Sequence, residues 1–255
     1  SDLWPNSVYA DEAKGLLGEA LLGAKRYADA IPVLESIRDK NEKIKKTYQH
    51  ICYFYANEML RQDPAKALEY FEKARLYPVD GRIDAQVDFW EGEIYYKDGK
   101  IDQALKLWER FCSNPDASRT EVYADGLYNL GYAYFDKKQY SKASTQFKLY
   151  TQKEVYAGEK KAKYIDGMTR LGDCYYISND PAQRSAAIDA YAYVTSKEGA
   201  NSDYAWYQIG MIYGLQGKAE EKIVTMKRIP ALYPSSEYVD DALYQIALVD
   251  LQRQS

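Results

Sequence analysis

The side chains that most often perform catalysis are scarce in this chain. His50 is the only histidine among 255 residues, so any Ser/His/Asp or Cys/His arrangement would have to use it. It lies beside Ile51 and Cys52 in a helix-like pattern, which is more typical of a packed or surface histidine than of a general base. The sequence therefore predicts that this chain is not an enzyme.

Metal and cofactor chemistry finds equally little support. Cys52, Cys112 and Cys174 are far apart, and their spacing fits neither a zinc site nor a CxxC redox pair. We interpret them as buried small hydrophobic residues. The acidic pair Asp240-Asp241 could coordinate a cation, although carboxylates in the first turn of a helix are favourable without one. No glycine-rich phosphate loop is present, so we predict neither a cofactor nor a metal.

The composition excludes further classes of partner. The chain is 46% hydrophobic and 28% charged, with a net charge of -4, which suits a globular protein with a large core. That charge is too balanced to attract a nucleic-acid backbone. No apolar run approaches the ~18 to 20 residues of a membrane-spanning helix. The first six residues also lack the regions of a signal peptide, so we expect no membrane insertion of this chain by itself. Because the sequence does not begin with methionine, we expect a fragment or mature form of a longer chain.

A repeat organises the whole sequence. Glycine, replaced once by tyrosine and once by alanine, recurs at intervals of 37, 37, 39, 41, 38 and 37 residues, at Gly18, Tyr55, Gly92, Gly131, Gly172, Gly210 and Ala247. Each copy contains two helical patterns. Because a lone helix pair cannot bury its apolar face, a period in this range predicts an all-α solenoid of about six and a half stacked pairs.

Three copies carry a more specific pattern. The residues at relative positions 4, 7, 8, 11, 20 and 24 of the fourth copy are Leu127, Leu130, Gly131, Tyr134, Ala143 and Phe147. The third and sixth copies share much of it, through Gly92, Tyr95, Gly99, Ala104 and Trp108 and through Trp206, Ile209, Gly210, Tyr213 and Gly217. The chain resembles tetratricopeptide repeat (TPR) proteins. That resemblance implies a right-handed α-solenoid, with positions 4, 7, 8 and 11 on one helix face and a small residue where the partner helix approaches.

The repeats define the expected organisation. We predict one solenoid over residues 1–255, with repeats near 11–47, 48–84, 85–123, 124–164, 165–202 and 203–239 and a capping helix at 240–254. In that helix Tyr244, Ala247 and Leu248 should face inward. The fifth copy carries about three extra residues around 177–186, and the segment 152–163 forms a long joint. Lys222 and Pro230 depart from the pattern in the sixth copy and predict an irregular helix there.

A second resemblance concerns the joints between repeats. The segment from Trp4 to Ala13 matches the segment from Tyr233 to Ala242, each with an aromatic residue, proline, serine, tyrosine and an acidic pair. This joint is similar to TPR proteins of the bacterial envelope. It implies a location in the bacterial periplasm or at the periphery of the outer membrane, with the cytoplasm as the alternative.

The resemblance also implies where a partner would bind. In TPR proteins the first helix of each repeat lines a concave groove, mainly through positions 2, 5, 9, 12 and 13. The groove residues expected from this rule are Phe89, Glu93, Tyr96, Tyr128, Tyr132, Phe135, Asp173, Tyr176 and Tyr207. Such an aromatic, acid-fringed groove suits a protein or peptide segment with apolar and basic residues. The alternative interpretation is that these rings pack on adjacent repeats.

Three functions remain compatible with the sequence. The first is a protein-interaction scaffold that binds a partner segment in the groove. The second is a structural spacer in a larger envelope assembly, and the third is a non-catalytic accessory domain of an enzyme or regulator.

One binding mode of TPR proteins is not expected here. Some members clamp an acidic carboxyl tail with lysine at position 5 and asparagine at position 9, and both residues are absent from these positions. A groove fringed with carboxylates would also repel such a tail.

Overall fold

The fold is built from helices. The structure is a computed structural model that describes residues 8–154, 161–178 and 180–254. Over these residues it contains thirteen α-helices, two 3₁₀ helices, at Ala117–Arg119 and Pro181–Gln183, and turns. The α-helices are α1 (Val8–Gly23), α2 (Tyr27–Glu35), α3 (Glu42–Met59), α4 (Pro64–Arg75), α5 (Gly81–Lys97), α6 (Ile101–Ser113), α7 (Tyr123–Asp136), α8 (Tyr140–Lys153), α9 (Lys161–Ile177), α10 (Arg184–Thr195), α11 (Ser202–Leu215), α12 (Ala219–Leu232) and α13 (Val239–Gln254). The predicted all-α class is confirmed.

Consecutive helices pack as pairs. α1 packs on α2, α3 on α4, α5 on α6, α9 on α10 and α11 on α12. Phe147 of α8 packs on Tyr128 of α7, and α13 adds a single helix against α12. This is the arrangement of six and a half helix pairs predicted from the repeat. None of the described helices is both long and apolar enough to span a membrane.

The chain divides into two compact units, Ser1–Gly126 (unit 1) and Leu127–Ser255 (unit 2). The division falls inside α7. Unit 1 has a core that includes Leu34, Ile51 and Phe71, all fully buried. Unit 2 contains a cluster around Tyr191 and Ile212.

The recurring glycine marks the closest approach within a helix pair. A Cβ atom built on Gly92 would lie 2.4 Å from Nε1 of Trp108, which is closer than real Cβ atoms come. Gly18, Gly131 and Gly210 meet Leu34, Phe147 and Met226 in the same way, each sixteen residues further along the chain. Glycine is therefore a packing requirement, as the sequence predicted.

The fifth repeat keeps this contact despite its insertion. Gly172 meets Tyr191, nineteen residues further along the chain. The three additional residues are accommodated between α9 and α10, where the 3₁₀ helix Pro181–Gln183 begins at the capping residue Asp180. The predicted insertion thus lengthens the connection without displacing the packing pair.

Helix ends follow from local residue chemistry. Oδ1 of Asp63 accepts a hydrogen bond from the amide of Lys66 at the start of α4, and Pro64 occupies the first turn, where it needs no donor. After α5 the chain turns at Gly99 with φ +73°, a left-handed conformation that favours glycine.

In the sixth repeat α12 continues through Pro230 to Leu232, although proline has no N–H to donate to the preceding turn. The expectation for α13 is wrong. Tyr244 is 62% exposed and Ala247 is also exposed. The face of α13 that packs on α12 carries Ala242 and Ile246 instead. Position 8 of a repeat packs on the second helix of its own pair, and no such helix follows α13 within the described residues.

Some predicted features lie outside the described residues. These are residues 1–7 of the first joint, residues 155–160 of the long joint between the fourth and fifth repeats, and Asn179. The second copy of the joint is described. There the chain leaves α12, and Oγ of Ser236 accepts a hydrogen bond from the amide of Tyr238 just before α13 begins.

Candidate functional site

The candidate residues of unit 1 do not form an exposed aromatic surface. Phe89 is 3% exposed and packs against Trp90 and Phe111, with ring centroids 4.8 and 5.5 Å away. The expectation that it lines an open groove is wrong, because position 5 of this repeat faces the second helix of its own pair. Tyr96 is half-buried, with its ring centroid 5.3 Å from that of Trp108. Glu93 is half-buried and forms an ion pair with Lys97 at 3.4 Å.

In unit 2, two candidate tyrosines converge on one carboxylate. The hydroxyl of Tyr128 donates a hydrogen bond to Oδ2 of Asp166 at 2.7 Å, and the hydroxyl of Tyr132 donates to the same oxygen. The two rings lie 4.9 Å apart, and both pack on Phe147 of α8. Two tyrosines of the fourth repeat are thereby bonded to the fifth, as the alternative interpretation of these rings expected.

A second carboxylate extends this arrangement. Asp173 is 3% exposed. Its Oδ2 accepts a hydrogen bond from Nη1 of Arg170 at 2.6 Å, and its Oδ1 accepts bonds from the hydroxyls of Tyr191 and Tyr204 at 2.7 and 2.8 Å. Nε of Arg170 also donates to the hydroxyl of Tyr132 at 3.2 Å. Asp173 is therefore a buried hydrogen-bond acceptor. The prediction that it lies at the edge of an open groove is wrong.

We call this connected set the Tyr–Asp–Arg network. Its members are Tyr128, Tyr132, Asp166, Arg170, Asp173, Tyr191 and Tyr204. It joins α7, α9, α10 and α11. Arg170 and Tyr191 lie outside the groove positions 2, 5, 9, 12 and 13, so the rule used for the site prediction misses them. The spacing of Asp166, Arg170 and Asp173, at i, i+4 and i+7 of one helix face, is the sequence signal that could have found Arg170.

Burial sets the ionisation of the network. Burial raises the pKa of Asp173, although the hydrogen bonds from Tyr191, Tyr204 and Arg170 oppose that change. Burial, followed by the hydrogen bond to Asp166, raises the pKa of Tyr132 from 10.0 to about 12. The same causes raise the pKa of Tyr128. The network thus favours neutral tyrosines, because an ionised phenol would lose its bond to the carboxylate.

We expect unit 2 to lose stability in alkaline solution. Unfolded tyrosines ionise near pH 10.0, whereas folded Tyr132 ionises near pH 12. A raised folded pKa contributes stability that is complete below the unfolded pKa and is lost as pH rises through the folded value. Urea unfolding between these two pH values, followed by tyrosine absorbance, should show a decreasing midpoint. Tyr132→Phe should make that decrease shallower, and an unchanged slope would contradict the assignment.

A second group of tyrosines lies at the end of unit 2. We call Tyr176, Tyr207 and Tyr238 the tyrosine patch. The rings of Tyr207 and Tyr238 have centroids 5.4 Å apart. Burial raises the pKa of Tyr207, with further contributions from Asp241 and then from Tyr176. The three residues are half-buried, so part of each side chain remains accessible.

Carboxylates surround the tyrosine patch. Burial is the main cause of the raised pKa of Tyr238, followed by Glu237 and then Asp203. Glu237 and Asp241 are exposed. Tyr238 was not among the predicted groove residues because it lies in the joint after the sixth repeat. A tyrosine occurs at the same place in both copies of that joint, and this recurrence was the sequence signal that could have found Tyr238.

The remaining candidate in unit 2 is Phe135. It is half-buried, with the guanidinium of Arg170 5.8 Å from its ring centroid and the ring of Tyr140 5.3 Å away. It therefore borders the Tyr–Asp–Arg network and not the tyrosine patch.

The histidine and the three cysteines that were considered for catalysis or metal binding are packed within the fold. Nε2 of His50 lies 3.2 Å from Oδ2 of Asp80, the residue that caps α5, and burial lowers the pKa of His50. Cys52 and Cys174 are buried and Cys112 is half-buried. Burial raises the pKa of each thiol to about 12, which disfavours the reactive thiolate. Among the described residues, no group of three or more His, Cys, Asp or Glu side chains is placed to hold a metal ion.

Comparison with known proteins identifies the class. Two family models, each described as a tetratricopeptide repeat, match residues 91–153 and 204–236. No curated protein sequence matches the chain significantly. The chain therefore contains tetratricopeptide repeats. Repeats of this kind are protein-interaction modules, which supports a protein-protein interaction scaffold. Neither family model describes a catalytic domain.

Solved structures support the same fold. YrrB, described as a TPR protein with an unusual peptide-binding site, matches 78% of this chain and 89% of its own length, with a TM-score of 0.57 at 19% identity. The apo form of RapI matches 96% of this chain and 72% of its own, with a TM-score of 0.59 at 10% identity. BtubC from P. vanneervenii matches 89% and 92%, with a TM-score of 0.53 at 14% identity. At these identities the likeness is one of fold alone.

Proposed function

We propose that unit 2 binds a peptide segment of a partner protein on the tyrosine patch, and that this segment carries basic and apolar residues. The observation that supports the proposal is the tilted pair of rings of Tyr207 and Tyr238, with centroids 5.4 Å apart, together with the carboxylates of Asp203, Glu237 and Asp241, which act on these two tyrosines. The accessible parts of the rings supply apolar contact area, and the carboxylates beside them are negatively charged. A segment with apolar and basic residues therefore gains binding energy both from contact with the rings and from attraction to the carboxylates.

The chemistry of such contacts is already present within the chain. Nζ of Lys163 lies 4.4 Å from the ring centroid of Tyr128, and the guanidinium of Arg228 lies 4.7 Å from that of Trp206. A cation over an aromatic face contributes about 0.5 to 2 kcal/mol, depending on its desolvation. A lysine or arginine of the partner could use the tyrosine patch in the same way, with Asp241 beside it.

The Tyr–Asp–Arg network has a different role in this proposal. The hydroxyls of Tyr128 and Tyr132 are bonded to Asp166, so they do not offer a free polar tip to a ligand. They connect α7 to α9, and Asp173 of α9 in turn accepts a hydrogen bond from Tyr204 of α11, the helix that carries Tyr207. Tyr128 and Tyr132 are therefore positioning residues, and partner contact is assigned to the patch.

The proposal is tested by calorimetric titration of two capped peptides. The first is acetyl-Ala-Leu-Arg-Ala-Leu-Lys-amide, and the second has glutamate in place of both basic residues. We expect binding of the basic peptide alone. Tyr207→Ala should weaken it about tenfold, since the cation loses its ring. Asp241→Asn should weaken it about threefold, with a smaller dependence on salt.

Asp250→Asn is the matched control for the acidic variant. Asp250 lies on the same helix as Asp241 and is likewise exposed, but it does not contribute to the surroundings of Tyr207. Its substitution should leave the affinity unchanged. Equal affinity for the acidic peptide, or an equal loss in Asp241→Asn and Asp250→Asn, would refute the patch as the binding site.

We also propose a location in the bacterial periplasm or at the periphery of the outer membrane. The support is the joint from Tyr233 to Ala242, which resembles that of envelope TPR proteins. The raised pKa values of the three thiols are compatible with an oxidising compartment, because thiols, unlike thiolates, react slowly. Fractionation of the source cells distinguishes this location from the cytoplasm.

A further inference from the structure

Unit 1 contains a cleft that shares only Glu93 with the predicted groove. We call it the unit-1 cleft. It has a volume of about 840 Å³ and lies between the connection from α3 to α4 and the second half of α5. Pockets of about 300 to 1,000 Å³ are typical of ligand sites. Its apolar lining includes Leu60, Leu68, Trp90 and Ile94.

The floor of the cleft is held by hydrogen bonds. Nε1 of Trp90 donates to the hydroxyl of Tyr53 at 3.2 Å, and that hydroxyl donates to Oε1 of Gln86 at 2.9 Å. The indole nitrogen is therefore satisfied within the protein, while the half-buried ring lines the cleft. A preorganised aromatic floor of this kind suits a large apolar side chain, which needs no polar partner there.

The charged rim contains both paired and unpaired groups. Lys97 pairs with Glu93, and Lys100 pairs with Asp98 at 2.7 Å. The other two charges on the cleft are Glu58 and Arg61. Both are exposed, and neither forms an ion pair within the described part of unit 1. They lie three residues apart, Glu58 in the last turn of α3 and Arg61 in the turn that follows it, so one short ligand can reach both.

We propose that the unit-1 cleft binds a peptide segment in which a large apolar residue lies between an acidic and a basic residue. The apolar side chain rests on Trp90, the acidic residue pairs with Arg61, and the basic residue pairs with Glu58. A guanidinium forms paired hydrogen bonds with a carboxylate, which gives the Arg61 contact directional specificity. This site uses residues of unit 1 alone and is independent of the basic segment assigned to the tyrosine patch.

The test uses the full chain labelled with 5-fluorotryptophan and observed by fluorine NMR. The Trp90 resonance, assigned with Trp90→Phe, reports on the unit-1 cleft, and that of Trp206 reports on unit 2. The probes are the capped tripeptides acetyl-Asp-Leu-Lys-amide, acetyl-Lys-Leu-Lys-amide and acetyl-Asn-Leu-Gln-amide. We expect the first to shift the Trp90 resonance at concentrations about tenfold lower than the uncharged peptide requires.

Two variants sharpen the test. Arg61→Glu should reverse the preference, so that the Trp90 resonance responds to Lys-Leu-Lys in place of Asp-Leu-Lys, because both unpaired charges are then negative. Ala65→Tyr places a large side chain on the wall of the cleft and should abolish the response. Its matched control is Glu72→Tyr, an exposed position on the same helix and outside the cleft.

The outcomes separate the two proposals. A Trp90 resonance that none of the peptides moves, or one that still responds in Ala65→Tyr, overturns the unit-1 cleft as a site. An unchanged preference in Arg61→Glu overturns the assigned charge contacts. The unshifted resonance of Trp108, a buried residue, verifies that each variant is folded. A response of Trp206 alone, to the basic peptide, supports the tyrosine patch and counts against the unit-1 cleft.

Discussion

Replacing Trp108 with alanine is expected to lower the free energy of unfolding of unit 1 by about 3 to 5 kcal/mol. The side chain is 1% exposed, and its ring centroid lies 5.3 Å from that of Tyr96. Its Nε1 donates a hydrogen bond to the carbonyl oxygen of Phe89 at 3.1 Å. The substitution would leave a cavity between α5 and α6 and remove that donor. Urea unfolding followed by circular dichroism should show the transition of unit 1 at lower urea.

The repeat glycine supplies the control for this prediction. Gly92→Ala should cost about 1 to 3 kcal/mol in the wild-type chain, because the new Cβ meets the indole. In the Trp108→Ala background the same change should cost much less, since the obstacle is gone. Gly23 has no atom within 4 Å of an added Cβ, so Gly23→Ala should be neutral or slightly stabilising. An equal cost of Gly92→Ala in both backgrounds would show that the indole contact does not explain the glycine.

Asp173→Leu is expected to destabilise unit 2 by about 3 to 5 kcal/mol. The carboxylate is 3% exposed and accepts hydrogen bonds from Arg170, Tyr191 and Tyr204. Leucine would leave the two buried hydroxyls without an acceptor and the guanidinium without its closest partner. The cost of these unpaired groups should exceed the gain from an apolar side chain. Thermal and urea unfolding of unit 2 measure the effect.

Two further variants show which part of the carboxylate matters. Asp173→Asn retains an oxygen acceptor for the tyrosine hydroxyls but removes the charge that faces Arg170, so its cost should be smaller than that of leucine. Asp250→Leu, at an exposed position of α13, should change stability by less than about 0.5 kcal/mol. If Asp173→Leu were as mild as Asp250→Leu, the buried carboxylate would contribute no net stability.

The candidate site shows how far a repeat pattern can predict function. Phe89, Tyr128 and Tyr207 all occupy position 5 of a repeat, and the sequence treats them alike. In the structure Phe89 is buried on Phe111, Tyr128 is bonded to Asp166, and Tyr207 is half-buried on Tyr238. Periodicity predicts which face of a helix a residue lies on. Whether that face stays accessible depends on the side chains that the neighbouring helices bring to it.

The missed residues have the same explanation. Arg170 and Tyr191 belong to positions that the groove rule does not include, and Tyr238 lies in a joint. Tyr191 and Tyr238 reach the site from other elements, whereas Arg170 reaches Asp173 along α9 itself. Of the residues that line the unit-1 cleft, the prediction contained only Glu93, because the wall of the cleft combines a helix end, a turn and part of a later helix.

The sequence by itself determined the all-α class, the number of helix pairs and the glycines at the closest approach within them. These properties depend on periodic spacing along one chain, and spacing is what a sequence records. The tertiary structure alone decided which aromatic rings are buried, which carboxylates accept tyrosine hydroxyls and where a cleft remains. Those outcomes depend on contacts between side chains distant in sequence, where a shift of a few ångströms decides between a hydrogen bond and an open surface.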